Sequence, residues 1–101
     1  MAVVINGADF ENEVLKSEIP VIVDFFAEWC QPCKIMALVI DELAQKLDGK
    51  AKVLKINIDE ASDIASNYLI RSIPTVIAFK NGVETSRIVG VSSIEELEEL
   101  L

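Results

Sequence analysis

Cys30 and Cys33 are the only cysteines in the chain, and they stand three apart in Trp29-Cys30-Gln31-Pro32-Cys33-Lys34. An apolar run from Val21 to Phe26 leads into them, and a helical pattern begins at them. Two thiols at that spacing can close a small ring. The free N–H groups and dipole at a helix start favour a thiolate over a thiol. The pattern therefore predicts reversible thiol–disulfide exchange.

Cys30, at the strand–helix boundary, is the expected attacking thiol. Cys33, one turn into the helix, is expected to be shielded and to resolve the mixed disulfide. The pair has two other chemical uses. A structural zinc takes four Cys or His ligands, and the chain has two Cys and no His. One chain cannot build that site, although two chains sharing their pairs could hold zinc or an iron–sulfur cluster. A buried pair could also act as small apolar residues. Trp29, Gln31 and Pro32 oppose this, because they make a turn-like, partly exposed segment. No metal and no cofactor is expected.

Asp24 is the second residue with chemical potential. It lies mid-strand between Val23 and Phe25. In a central strand its carboxyl would be buried, and desolvation would raise its pKa. At an edge it would face solvent as an ordinary acid. Lys55 falls mid-strand in Val53-Leu54-Lys55-Ile56 and can approach Asp24 from a neighbouring strand, or simply snorkel to water. With no histidine present, any general acid or base must be Asp, Glu, Lys or Cys.

The elements that must position these groups alternate along the chain. Strands are expected at Met1 to Ile5, Ile19 to Phe26, Lys52 to Ile58, Thr75 to Lys80 and Val83 to Val89. Helices are expected at Ala8 to Lys16, Gln31 to Leu47 and Glu60 to Tyr68, with a last one opening at Ser92-Ser93. In the long helix, Ile35, Met36, Val39, Ile40, Leu43 and Leu47 form the expected buried stripe, and Gly49 is the expected C′ residue. Asn81-Gly82 is a strong two-residue hairpin turn. Ser92-Ser93-Ile94-Glu95-Glu96 offers overlapping capping boxes, and Ile94, Leu97, Leu100 and Leu101 are expected to face inward.

The order β-α-β-α-β-α-β-β-α predicts an α/β fold, a mixed five-stranded sheet with four helices on both faces. One domain, residues 1–101, suits the length.

Hydrophobic residues make up 51% of the chain, enough for a packed core, and the formal net charge of −8 argues against nucleic acid or an anionic membrane as partner. The first residues lack the basic and long apolar regions of a signal peptide, and no apolar run reaches transmembrane length. A cytoplasmic protein whose thiols rest reduced is expected.

Four segments carry a resemblance to the thioredoxin family: Val23-Asp24-Phe25-Phe26-Ala27-Glu28-Trp29-Cys30-Gln31-Pro32-Cys33-Lys34, Lys55-Ile56-Asn57-Ile58-Asp59, Ile70-Arg71-Ser72-Ile73-Pro74-Thr75 and Phe79-Lys80-Asn81-Gly82. The resemblance spans nearly the whole chain. It implies the thioredoxin fold and reduction of protein disulfides, with disulfide-containing target proteins and a thioredoxin reductase as partners, and a monomer. It implies that Asp24 accepts the proton of Cys33 through water, and Lys55 could join that relay. It implies a cis bond before Pro74, against the ~5% frequency of cis X-Pro bonds in general. Ile73 would then pair with the target chain as a short added strand. Trp29, Ile58, Ile73, Pro74, Gly90 and Val91 map onto the family's apolar docking surface, with Gln31 and Pro32 beside the nucleophile.

The chain departs from the family pattern at several positions. Gln31 replaces the usual Gly between the cysteines. Phe26 replaces a frequent Trp. Leu38 stands where a helix-kinking Pro is common. Leu69 and Ser72 replace glycines and are expected to rim the groove. Pro32 retains the rigidity typical of reductants. A specialised oxidant or isomerase is one alternative, to be separated by reduction potential. A binding module with incidental cysteines is the other, and its partner binding would survive loss of both thiols.

Overall fold

Apolar runs bounded by proline, glycine and polar turns become the strands. The structure, a computed structural model, describes residues 2–101; Met1, expected at the start of the first strand, lies outside the described residues. Strands β1 (Val3–Ile5), β2 (Val21–Phe26), β3 (Lys52–Asn57), β4 (Thr75–Lys80) and β5 (Val83–Val89) form one sheet in the order β1-β3-β2-β4-β5. β1 and β2 each run parallel to β3, while β4 runs antiparallel to both β2 and β5. The sheet is mixed and five-stranded, as the element order implies.

β2 is central and buried on both faces, which explains its continuous apolar run. On one face Val23, Phe25, Ile56, Ile77 and Phe79 pack against Phe10, Val14 and Ile64 from the flanking helices. On the other, Ile22, Val53 and Val76 pack against Met36, Ile40 and Leu43 of α1 (Gln31–Lys46) and Leu97 of α3 (Ile94–Glu98). Asp24 shares this second face, since it follows Ile22 by two residues and pairs in register with Lys55 and Val76.

The helices depart from expectation at their ends. The N-terminal stretch is a short turn at Gly7–Asp9 followed by a helix at Glu11–Leu15, rather than one helix over Ala8 to Lys16. The Lys16 N–H reaches back five residues to the Glu11 carbonyl at 2.9 Å, so the turns are wide. α2 (Ser62–Asn67) is shorter than the expected Glu60 to Tyr68.

In α1, Ile35 is 60% exposed and does not belong to the buried stripe. Met36, Ile40 and Leu43 define that face, and Ile35 lies off it at the next position around the helix. Leu47 caps α1, so Gly49, at φ +82°, sits two residues beyond the cap rather than one. α3 opens as expected, with Ser93 and Glu96 exchanging the two bonds of a capping box. Asn81 and Gly82 both take positive φ, as a two-residue hairpin turn requires.

Candidate active site

The chain leaves β2 through Ala27-Glu28-Trp29 and enters α1 at Gln31, with Cys30 as the N-cap residue in an extended conformation. Pro32 fits the first helical turn because no intrahelical acceptor waits for an N–H there. Cys30 and Cys33 are joined as a disulfide with Cα atoms 5.3 Å apart. The Cys33 backbone N–H points at the Cys30 sulfur at 3.2 Å. In the reduced state, that donor and the helix N-terminus both favour a thiolate at Cys30.

Both cysteines are only 4% exposed, so overall exposure does not distinguish the attacking thiol from the shielded one as expected. Their surroundings differ. Cys30 lines an open groove of about 420 Å³ together with Trp29, Gln31, Pro32, Ile58, Ile70, Arg71, Ser72 and Ile73. Cys33 instead lines a smaller cavity of about 200 Å³ on the other side, with Phe26, Ala27 and Lys55 among its walls.

The far wall of the groove is the loop before β4. The Ile73–Pro74 bond is cis, matching the resemblance. The Ile73 carbonyl lies 3.8 Å from the Cys30 sulfur. Thr75 Oγ1 donates to the Ser72 carbonyl at 2.6 Å, and the Gly90 N–H donates to the Pro74 carbonyl at 2.8 Å. These bonds hold the loop against the cysteines from both sides.

Of the docking residues expected from the sequence, Trp29, Gln31, Pro32, Ile58 and Ile73 line the groove with Cys30. Pro74 is buried behind Ile73. Gly90 and Val91 do not line the groove, although Gly90 braces it through Pro74 and Val91 is exposed. Leu69, expected on the rim with Ser72, is exposed but not part of the lining, whereas Ser72 is.

Ile70 and Arg71 complete the groove wall; both stand in the segment that carries the resemblance, the only signal that could have found them. Asp59 was missed as well. Trp29, 67% exposed, donates its indole N–H to Asp59 Oδ2 at 2.8 Å.

Asp24 is fully buried on the α1 face of the sheet, and neither carboxylate oxygen has a hydrogen-bond partner among the described residues. Burial pushes its pKa up from 3.8 to about 7, with the charge of Lys55 partly opposing the rise. Lys55 is its register neighbour on β3, and its ammonium sits over the Phe26 ring at 4.7 Å from the centroid.

A five-stranded mixed sheet that presents a disulfide at the start of an amphipathic helix, opposite the loop before β4, defines a thiol–disulfide oxidoreductase of the thioredoxin fold. The chain belongs to the thioredoxin family: the family model "Thioredoxin" matches residues 1–101. It is similar to a thioredoxin of Rickettsia bellii, 50% identical over 99 residues that cover 98% of this chain and 94% of the relative. Thioredoxin 1 of a Nostoc species is 46% identical over 97 residues, covering 96% and 91% respectively. A chloroplastic M-type thioredoxin of Spinacia oleracea is 55% identical over 86 residues, covering 85% of this chain and 48% of the relative. The protein is a protein-disulfide reductase whose Cys30/Cys33 pair exchanges two electrons with disulfides.

Proposed function

We propose that Cys30 is the attacking thiol, Cys33 the resolving thiol and Asp24 the proton acceptor for Cys33, and that a thioredoxin reductase regenerates the dithiol in the cytoplasm, the protein working as a monomer. The observation that carries the assignment is the Cys33 N–H directed at the Cys30 sulfur on the floor of an open groove.

The Cys30 thiolate attacks one sulfur of a target disulfide. A new S–S bond forms, and the other target sulfur leaves as a thiolate. Cys33 then attacks the Cys30 sulfur, closes the Cys30–Cys33 disulfide and releases the second target thiolate, which takes a proton from water. Before that attack the Cys33 proton passes to Asp24, whose raised pKa suits it to accept a proton near neutral pH. A reductase returns two electrons to the disulfide.

While the mixed disulfide lasts, Trp29, Gln31, Pro32, Ile58 and Ile73 hold the target. The Ile73 backbone pairs with the target chain, and Pro74, Gly90 and Val91 support that edge.

The test is insulin reduction driven by NADPH and a thioredoxin reductase. Wild type is expected to support NADPH consumption, and Cys30→Ser to abolish it. Turnover that survives Cys30→Ser would defeat the assignment.

A further inference from the structure

A lysine beside a buried carboxylate in register is expected to pair with it. Lys55 does not. Asp24 and Lys55 are direct neighbours on parallel strands and point to the same face. Yet both Asp24 oxygens are without a hydrogen-bond partner among the described residues, and the Lys55 ammonium lies against the Phe26 ring instead. Phe26 follows Asp24 by two residues, so it stands on the same face one step toward the cysteines. Phe26, Lys55 and Cys33 line one cavity of about 200 Å³.

We propose that Phe26 is a positioning residue: its ring face anchors the Lys55 ammonium at the wall of the Cys33 cavity, and through that cation it governs the charge state of Asp24. The proposal rests on the reading that Asp24 takes the Cys33 proton.

The negative face of an aromatic ring attracts an ammonium at this distance. A half-buried lysine without such a partner extends its flexible stem to water, because a fully buried ion pair would cost the ammonium its hydration. The ring therefore keeps a positive charge close to Asp24 without an ion pair forming.

The neighbours of this cation are few. β1 contributes Val4 opposite Lys55, β4 contributes Val76 opposite Asp24, and α1 contributes Cys33, Lys34 and Ala37 to the cavity. Glu28, from the loop after β2, is the one carboxylate among the described residues that line the cavity, since Asp24 lies behind its wall on β2. A ring that releases Lys55 would leave Asp24 with less opposing positive charge and a higher titration midpoint.

The experiment is a carbon-13 NMR titration of the Asp24 carboxyl in the reduced, full-length protein. Removing the ring with Phe26→Leu is expected to raise the midpoint by about half a pH unit, cutting the carboxylate fraction at pH 7 roughly twofold. Phe26→Trp, which restores a ring face, should return the midpoint to wild type or below. Lys55→Met should raise it at least as far as Phe26→Leu, and adding Phe26→Leu to Lys55→Met should raise it no further.

A Phe26→Leu shift of equal size with and without Lys55 would overturn the proposal, because the ring would then act by desolvation alone. So would no shift at all. Wild type supplies an independent check: the Lys55 ε-methylene protons should be shifted upfield by the ring, and unshifted protons would overturn the proposal without any variant. Failure of the underlying reading looks different. It would appear as wild-type release of a trapped target by Asp24→Asn, whatever the titrations show.

Discussion

The Trp29 indole is tied to Asp59: its N–H donates to Oδ2 at 2.8 Å, across 30 residues of sequence. The Asp59 backbone N–H in turn donates to Asn57 Oδ1 at 2.9 Å, so the acceptor is itself held. A 67% exposed ring beside Cys30 would otherwise sample several rotamers. The bond sets one wall of the groove before a target arrives. Asp59→Ala is expected to weaken docking by about 1 kcal/mol, roughly fivefold in kcat/KM for protein disulfides. Rates with a small uncharged disulfide should stay near wild type. Trp29 is the only tryptophan, so its fluorescence anisotropy reads the loosening directly. Unchanged anisotropy together with unchanged protein-target rates would refute the latch.

Asp24 makes stability depend on pH in a defined direction. Its folded pKa, about 7, lies above the ordinary 3.8 because burial disfavours the charged form. Between those values the folded state holds a proton that the unfolded state releases, so stability falls as pH rises. Well below pH 3.8 the group is neutral in both states and costs nothing by this route. Asp24→Asn removes the titration. Its stability relative to wild type should grow between pH 4 and pH 8 by on the order of 4 kcal/mol. Denaturant melts at both pH values measure this, and a difference that does not vary with pH would refute it.

Much of this was legible because local and global signals agree. Thr75–Lys80 and Val83–Val89 emerged with their observed bounds, since Pro74 and Asn81-Gly82 punctuate them. Ile35 did not, because an apolar residue at helical spacing reads as buried whether or not a neighbour covers it. Asp24 was readable as an acid inside a buried strand. The partnership of Trp29 with Asp59 was not, because it exists only once β3 pairs alongside β2. Arg71 was missed for a related reason: a charged loop residue has no periodicity, and only the folded groove shows where it stands.

Backbone conformation separates two positions. Leu69 adopts φ +55° while exposed, a left-handed conformation that a branched side chain disfavours. Leu69→Gly should stabilise the fold by about 1 kcal/mol, since strain is relieved and little burial is lost. Gly82 is the reverse case. At φ +78°, a Cβ there would meet the Leu15 carbonyl oxygen at 2.6 Å. Gly82→Ala should cost about 2 kcal/mol or more. Denaturant melts of both variants check the opposite signs.

The two cysteines should separate in a trapping experiment. Only Cys30 lines the open groove. Cys33→Ser keeps the attacking thiol and removes the resolving one, so a mixed disulfide with a target should accumulate. Cys30→Ser should trap little or nothing. Mass spectrometry of the adducts reads the outcome, and accumulation with Cys30→Ser alone would reverse the assignment.

Gln31 should tune partner fit more than chemistry. It lies inside the disulfide ring, is exposed and lines the groove beside Trp29 and Cys30. Its side chain adds bulk and hydrogen-bonding groups where a target backbone must approach. Pro32, the other residue in the ring, is unchanged by Gln31→Gly, as is the Cys33 N–H on the Cys30 sulfur. The variant should therefore remain a reductant, while its rates with the reductase and with bulky protein targets change several-fold, in line with a docking change of about 1 kcal/mol. The potential is measured against glutathione, and the rates against insulin and a small disulfide. A potential that moves strongly toward that of an oxidant, with protein-target rates unchanged, would show that Gln31 acts on the sulfur chemistry instead.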